Sequence, residues 1–330
     1  VPQIASSFSP PAYLRSATVQ TITPSLFRQP PPLAGDFELL ELADGDFLEL
    51  HWHNRQSSTL AILSHGLEGS MESGYLLGLA HALSDAGFGV LRWNMRGCGT
   101  QRNRLPTWYH SGQSEDLKHV VSQALGQHSG ELVLVGISIG GNITLKYLGE
   151  SATSLSPRIR AAVGVSVPID LKGSAAELAK PKNALYMQYL LRPLRARMRE
   201  KALRFPGRFD ISRISSIRTF HEFDTLFTAP SHGFSSVDDY WERSSSKQFL
   251  TSINIPTLLI SARDDPFLSP GCFPHEIALR ANNILLESPA HGGHVGFIDG
   301  LKLKRTWLDR RIIEFLLALP AKNIHGSVVK

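Results

Sequence analysis

The chain has 330 residues, 42% of them hydrophobic and 19% charged, with 34 Lys+Arg against 29 Asp+Glu for a net charge of +5. These values describe a packed globular protein, and a charge this mild and mixed in sign gives no reason to expect a nucleic-acid partner. Two cysteines, Cys98 and Cys272, are too few for a disulfide framework and lack metal-ligand spacing. With no apolar run of about 18 residues and no signal-peptide core at the start, the expected location is cytoplasmic.

In chain order, residues 1–33 are rich in Pro, Ser and Thr, with Ser9-Pro10-Pro11 and Pro30-Pro31-Pro32. Such prolines predict extended segments forming an arm packed on the core. Residues 37–42 and 47–52 alternate like strands around Asp44-Gly45, which predicts a two-residue hairpin with positive φ at both turn positions. Short apolar runs follow at 60–63, 89–93, 132–135, 161–167 and 257–260. They alternate with helical patterns at 73–86, 114–125, 139–149 and 303–319, the last stopped by Pro320.

Fully apolar strands separated by helices indicate an α/β fold with a mostly parallel sheet flanked by helices on both faces. Between Pro168 and about Leu250 this rhythm stops, in a stretch too poor in large apolar residues for a core of its own. The expected organisation is an arm at 1–33, an α/β core at 34–167 and 251–330, and an inserted helical lid at 168–250. Residues 191–204 interleave apolar and basic side chains. A solvated helical face is the simpler reading of them, and weak association with a membrane surface is the other.

The strongest chemical signal is Gly136-Ile137-Ser138-Ile139-Gly140-Gly141, between the apolar run 132–135 and a helical pattern. A nucleophile on a strand-to-helix turn needs a strained backbone, and glycines two residues to either side remove side chains that would clash across the turn. Ser138 is therefore the candidate nucleophile; a turn serine bonded to local backbone is the plainer alternative. A serine hydroxyl needs a histidine to take its proton and a carboxylate to orient that histidine. The strand-like run 256–262 ends in Asp264-Asp265-Pro266, and 283–287 leads into His291-Gly292-Gly293-His294. Asp265 is preferred over Asp264 because it directly precedes the proline turn, and His294 over His291. The two histidines lack a third ligand for a metal, and no cofactor is required.

An oxyanion needs backbone donors, one after the nucleophile and one from the loop after an earlier strand. The N–H groups of Ile139 and of Leu67, in Ser64-His65-Gly66-Leu67-Glu68-Gly69, are the candidates, although the glycines there also suit a simple strand-to-helix turn.

Together these blocks resemble the YheT-type branch of the α/β hydrolases, related to plant embryogenesis-associated proteins and to abhydrolase-domain phospholipases. The resemblance spans nearly the whole chain, through Phe8-Ser9-Pro10-Pro11, His65-Gly66-Leu67-Glu68-Gly69-Ser70, Asn94-Met95-Arg96-Gly97-Cys98, Phe223-Asp224 with Phe227-Thr228-Ala229-Pro230, and Gly292-Gly293-His294. It implies an α/β-hydrolase fold with a helical lid and an esterase-like enzyme, and it supports Ser138, Asp265 and His294. Ile139 departs from the leucine or methionine familiar after the nucleophile, without affecting the N–H.

The expected function is a serine hydrolase cleaving carboxylic esters through an acyl-enzyme, on short or medium acyl chains, with a small-molecule ester or lipid-like substrate. A phospholipase, a thioesterase and a non-catalytic ligand-binding protein are the alternatives. Tyr186, Tyr189, Leu190, Leu191, Phe223 and Phe227 are expected to line an acyl pocket or to pack the lid on the core. Arg96, Arg104 and His110 are read either as an anion site or as structural ion pairs. Ser166 and Asp170 border the expected lid hinge, with no chemistry assigned.

Overall fold

A computed structural model describes residues 3–320. The first and last of the expected segments are thus described except for residues 1, 2 and 321–330, which lie outside it. The apolar runs read from the sequence become neighbouring strands. After β1 (Gln3–Ile4) and α1 (Ala17–Phe27) come β2 (Asp36–Glu41), β3 (Phe47–His53), β4 (Thr59–Ser64), α2 (Gly74–Asp85), β5 (Gly89–Asn94), α3 (Ser114–Gln127), β6 (Glu131–Ile137), α4 (Ile139–Glu150) and β7 (Ile159–Val165). A helical stretch follows with α5 (Leu171–Leu178), α6 (Ala184–Arg204), α7 (Phe220–Phe223), α8 (Ala229–Ser231) and α9 (Val237–Ser244). The chain then returns to the sheet as β8 (Thr257–Ile260), α10 (His275–Arg280), β9 (Ile284–Glu287) and α11 (Trp307–Leu317).

Among the described residues, nine strands form one sheet in the order β1-β9-β8-β7-β6-β4-β5-β3-β2. All neighbours pair in parallel except β5 with β3 and β3 with β2. Strand residues alternate between two apolar layers because successive side chains leave opposite faces of the sheet. On β4, Leu60 and Ile62 join the layer containing Leu117 of α3 and Ile143 of α4. Ala61 and Leu63 join the layer with Leu76 of α2 and Ile312 of α11. The helical stretch after β7 shares the first of these layers through Met187, Leu191, Leu194 and Met198 of α6. Among the described residues no helix is long and apolar enough to cross a membrane.

Two local expectations are corrected. The β2–β3 connection is not a two-residue hairpin: Leu42 N–H donates to Asp46 O at 2.9 Å and Gly45 N–H to Leu42 O at 3.0 Å, leaving three residues between. Only Gly45 in this turn has positive φ, 86°, the pattern of a tight turn closed by a left-handed glycine. Asp44 instead anchors the loop, its Oδ1 accepting Asp46 N–H at 3.0 Å and its carboxylate pairing with Arg96.

The arm is not simply extended either, because residues 17–27 are helical with Pro24 inside. Proline forfeits the bond its N–H would make to Gln20 O. That carbonyl lies instead against Gly296, 2.3 Å from where a Cβ would stand. The helix end is tied down by the buried Arg28–Asp309 pair, with Gly78 leaving room for the guanidinium.

Candidate active site

β6 passes into α4 through Ser138, whose backbone lies at φ 55°, ψ −122°, a region costing a non-glycine residue about 1–3 kcal/mol. The surroundings enforce it. Ser138 N–H donates to Val165 O at 2.8 Å. A Cβ on Gly136 would stand 2.4 Å from Gly140 O, and one on Gly140 2.4 Å from both Ser64 O and His65 O. The turn therefore closes only with glycine at these two positions. Ser138 heads the helix, so the Ile139 N–H is among those with no partner inside α4.

The loop after β9 brings His294 over this turn. Its Nε2 lies 3.0 Å from Ser138 Oγ, and its Nδ1 lies 2.9 and 3.1 Å from the two carboxylate oxygens of Asp265. The Asp265 side chain is fully buried, and its Oδ1 also accepts Phe267 N–H at 2.9 Å. Asp264 faces away: its Oδ1 accepts Gly293 N–H at 2.9 Å, and its Oδ2 is 3.6 Å from His291 Nδ1. Burial raises the Asp264 pKa. Of the two aspartates and two histidines, one pair meets the serine and the other braces the loop.

Sequence reasoning missed what holds that loop. Val295 and Phe297 have φ of 63° and 45°, and the strain is opposed by specific bonds. Thr21 Oγ1 accepts His294 N–H at 2.9 Å, and Ser166 Oγ accepts Val295 N–H at 3.0 Å. Gln20, fully buried, donates to Leu14 O and Ile298 O and accepts from Ile298 N–H. The Phe267 ring packs on the imidazole at 4.3 Å between centroids. Gln-Thr in a proline-rich segment carries no chemical signal of its own, and only the fold puts α1 under the histidine.

The loop after β4 is held as tightly. Gly66 O accepts from His65 Nδ1–H at 2.8 Å and from Gly69 N–H at 3.0 Å. The carbonyl and the Leu67 N–H share one planar peptide, so fixing the oxygen aims the N–H the opposite way. Gly66 approaches closely enough that a Cβ would be 3.3 Å from Ser138 Cβ, and its own N–H donates to Tyr75 Oη at 2.7 Å. His65 is fully buried, and desolvation pushes its pKa down to about 4, which keeps it neutral. Its Nε2 accepts Met95 N–H at 3.1 Å, so the Nδ1–H tautomer is the one that fits. Beyond Leu67, Glu68 has φ 51° and its N–H donates to Tyr109 Oη at 2.8 Å. Arg197 of α6 pairs with the Glu68 carboxylate at 3.0 Å.

Residues 62–301 match the family of the alpha/beta hydrolase fold. The chain belongs to the α/β-hydrolase family. It is 34% identical over 329 residues to the YheT protein of Escherichia coli (strain K12), covering 97% of this chain and 96% of that one, which places it in the YheT branch. It is 28% identical to phospholipase ABHD3 of Mus musculus, covering 96% of this chain and 80% of that protein. Among solved structures, the Pyrococcus furiosus esterase Pf2001 superposes with a TM-score of 0.59 at 19% identity, covering 88% and 97% of the two chains, a likeness of fold. Family and relatives make this protein a hydrolase.

Above the hydrolase elbow lies a cavity of about 950 Å³. Its floor is Ser138, His294, Gly66 and Leu67, and its walls come from α1, α5, α6 and residues 220–241. Tyr186, Tyr189, Leu190 and Phe223 line it, while Leu191 and Phe227 are buried in the layer behind. Asp224 also faces it, in a π-helical turn Asp224–Thr228, and accepts from Trp241 Nε1 at 3.0 Å and Thr228 Oγ1 at 2.7 Å. Burial pushes its carboxyl up to about 6.

Of the three residues considered for an anion, Arg96 chelates Asp116 at 2.8–3.1 Å, and Arg104 holds Glu41 with an Nη2–Oε1 distance of 2.8 Å. Both are engaged in ion pairs away from the cavity lining. His110 does line it, packed against His232 and Tyr240, and desolvation first of all holds its pKa well below the usual histidine range. Ser166 supports the histidine loop, and Asp170 caps α5 by accepting Gly173 N–H at 2.9 Å.

Proposed function

We propose that this hydrolase is a serine esterase that works through an acyl-enzyme. The observation that carries the reading is the unbroken chain Ser138 Oγ, His294 Nε2, His294 Nδ1, Asp265 Oδ2, with links of 3.0 and 2.9 Å, at the floor of an apolar cavity. Ser138 Oγ attacks the ester carbonyl as its proton passes to His294 Nε2. Asp265 stabilises the imidazolium and keeps Nδ1 as the donor to itself. The N–H groups of Leu67 and Ile139 receive the oxyanion; both belong to peptides held in place before substrate arrives, so little reorganisation opposes the reaction. His294 then returns the proton to the leaving alcohol, and a water repeats the sequence to free the acid.

A cavity near the upper end of the range for drug-sized ligands, walled by tyrosines, leucines and phenylalanines, favours medium over short acyl chains. We read residues 168–250 as the lid over that cavity. A lipid-directed phospholipase is the second reading, supported by the phospholipase relative and by the apolar mouth described below.

Labelling with a fluorophosphonate probe, run beside Ser138→Ala, tests the mechanism: wild type labels and the variant does not. Wild type that resists the probe while folded would leave a ligand-binding protein instead. A p-nitrophenyl ester series of increasing length tests the substrate, with kcat/KM expected to peak at medium chains.

A further inference from the structure

Helix α6 has two faces of contrasting character. Met187, Leu191, Leu194 and Met198 are buried. The opposite face runs Leu185, Tyr189, Arg192, Ala196, Arg199 and Leu203, all exposed. At roughly 100° per residue these six fall within about 40° of one line along the helix. Three are large and apolar, with Leu185 87%, Tyr189 67% and Leu203 81% exposed. No exposed residue of this helix is acidic; its one carboxylate, Glu200, is partly buried and paired with Arg102 and Arg204. A face that only meets water has no use for leucines and tyrosine alternating with unopposed arginines. Apolar side chains interleaved with arginines on one exposed face suit contact with a membrane surface, where the former can enter the acyl boundary and the latter meet headgroups.

A second element continues the surface. Helix α1 exposes Ile22, Leu26 and Phe27 and carries no charged residue. Ile22 and Leu26 line the same cavity as Leu185, Tyr189 and Arg192, so the two helices flank its mouth. Ile22, Leu26, Leu185 and Tyr189 thus gather around one opening, with Phe27 and Leu203 exposed farther along the same two helices, and apolar side chains grouped in this way mark an interaction site rather than scattered surface leucines.

We propose that this rim docks the hydrolase on a lipid surface carrying anionic headgroups, from which lipid esters pass into the cavity. The arginines supply charge complementarity to the headgroups, and the apolar side chains enter the layer beneath. An acidic protein partner would match the charge, but it would leave the apolar residues at the mouth without a counterpart. Passage of substrate rests on the esterase reading; docking does not.

The full chain is mixed with sedimentable vesicles of phosphatidylcholine, with and without phosphatidylglycerol, at low and high salt. Binding is expected to the anionic vesicles, roughly tenfold weaker without phosphatidylglycerol, and weakened by salt. Arg199→Gln should lose about fivefold. The charge-neutral pair Phe27→Ser and Leu203→Ser should lose about tenfold by removing apolar area alone. These variants should cleave a soluble p-nitrophenyl ester at the wild-type rate, and Ser138→Ala should bind vesicles as wild type does.

Wild type that ignores anionic vesicles, or binds both kinds alike, would overturn the proposal. So would apolar variants that bind undiminished while polyglutamate strips the protein from vesicles, a result pointing to an acidic polypeptide partner. Vesicle binding without probe labelling of Ser138 would support docking while removing the esterase reading.

Discussion

The floor of the site and the two helices that wall it differ in how much freedom their residues retain. At the floor, Gly136 and Gly140 leave no room for a methyl group, Ser138 holds a strained φ of 55°, and the flanking loops are pinned by His65, Tyr75 and Thr21. On the walls, Leu26, Leu185 and Tyr189 are more than half exposed. A reacting centre needs atoms fixed within a fraction of an ångström, whereas an acyl chain needs only apolar area. On the proposed esterase reading, the contrast assigns rate to backbone constraint and substrate choice to replaceable side chains.

The comparison breaks most sharply at the carboxylates. Asp265→Asn should lower kcat on the order of 10⁴-fold, because the amide favours the wrong imidazole tautomer. Asp264→Asn, which alters a brace and not the proton path, should cost less than about tenfold. Equal losses in steady-state assays would reverse our assignment. For stability, Gly140→Ala should cost about 3 kcal/mol or more, since its Cβ would meet two backbone carbonyls that cannot move apart. Leu185→Ala, by contrast, should stay within about 0.5 kcal/mol. Thermal unfolding of the two variants measures the difference directly.

Acid should act on the floor through His65 and on the wall through His232 over the same range of pH. His65 and His232 have folded pKa values near 4, below the unfolded value, each because burial disfavours the charged form. The unfolded chain takes up protons first as pH falls, so their stabilisation is whole above about pH 6.5 and is lost toward pH 4. Asp224, raised to about 6, contributes in the opposite sense, favouring the fold at low pH and losing that contribution as pH rises through 6. With His110 shifted in the same direction as the other two imidazoles, the histidines should prevail. The Tm should then fall between pH 7 and 4.5, and a flat profile would contradict their burial as neutral groups.

Thr21→Val removes the acceptor for His294 N–H while keeping the side chain's shape. It should reduce kcat several-fold with KM unchanged, and Thr21→Ser should restore it. The smallest effect is expected at the walls. Tyr189→Ala should move the preferred ester length by a few-fold in kcat/KM between neighbouring chain lengths, with kcat on the best substrate nearly constant.

Much of this was legible in the residues. The apolar runs at 60–63, 132–135 and 257–260 became β4, β6 and β8 with ends shifted by at most two residues, because a strand buried on both faces has no polar position to blur its pattern. The run Gly136 to Gly141 announced its turn for an equally local reason. The β2–β3 turn departs from the two-residue hairpin that Asp-Gly predicts because only Gly45 takes positive φ, while the Asp44 carboxylate pairs with Arg96. The helix in the arm escapes the reading of Ser9-Pro10-Pro11 and Pro30-Pro31-Pro32 as extended segments because those prolines lie on either side of residues 17–27 and not within them.

By itself the sequence determined strand order of appearance, the elbow around Ser138 and the short set of acids and histidines able to serve it. Those features depend on neighbours a few positions apart. Only tertiary structure decided that Asp265 and not Asp264 faces His294, and that α1 underpins the histidine loop while α6 braces Glu68. Such contacts join residues 29, 129, 156 or 273 positions apart. At those separations, direction is set by how the sheet twists and the loops close, and no local pattern records it.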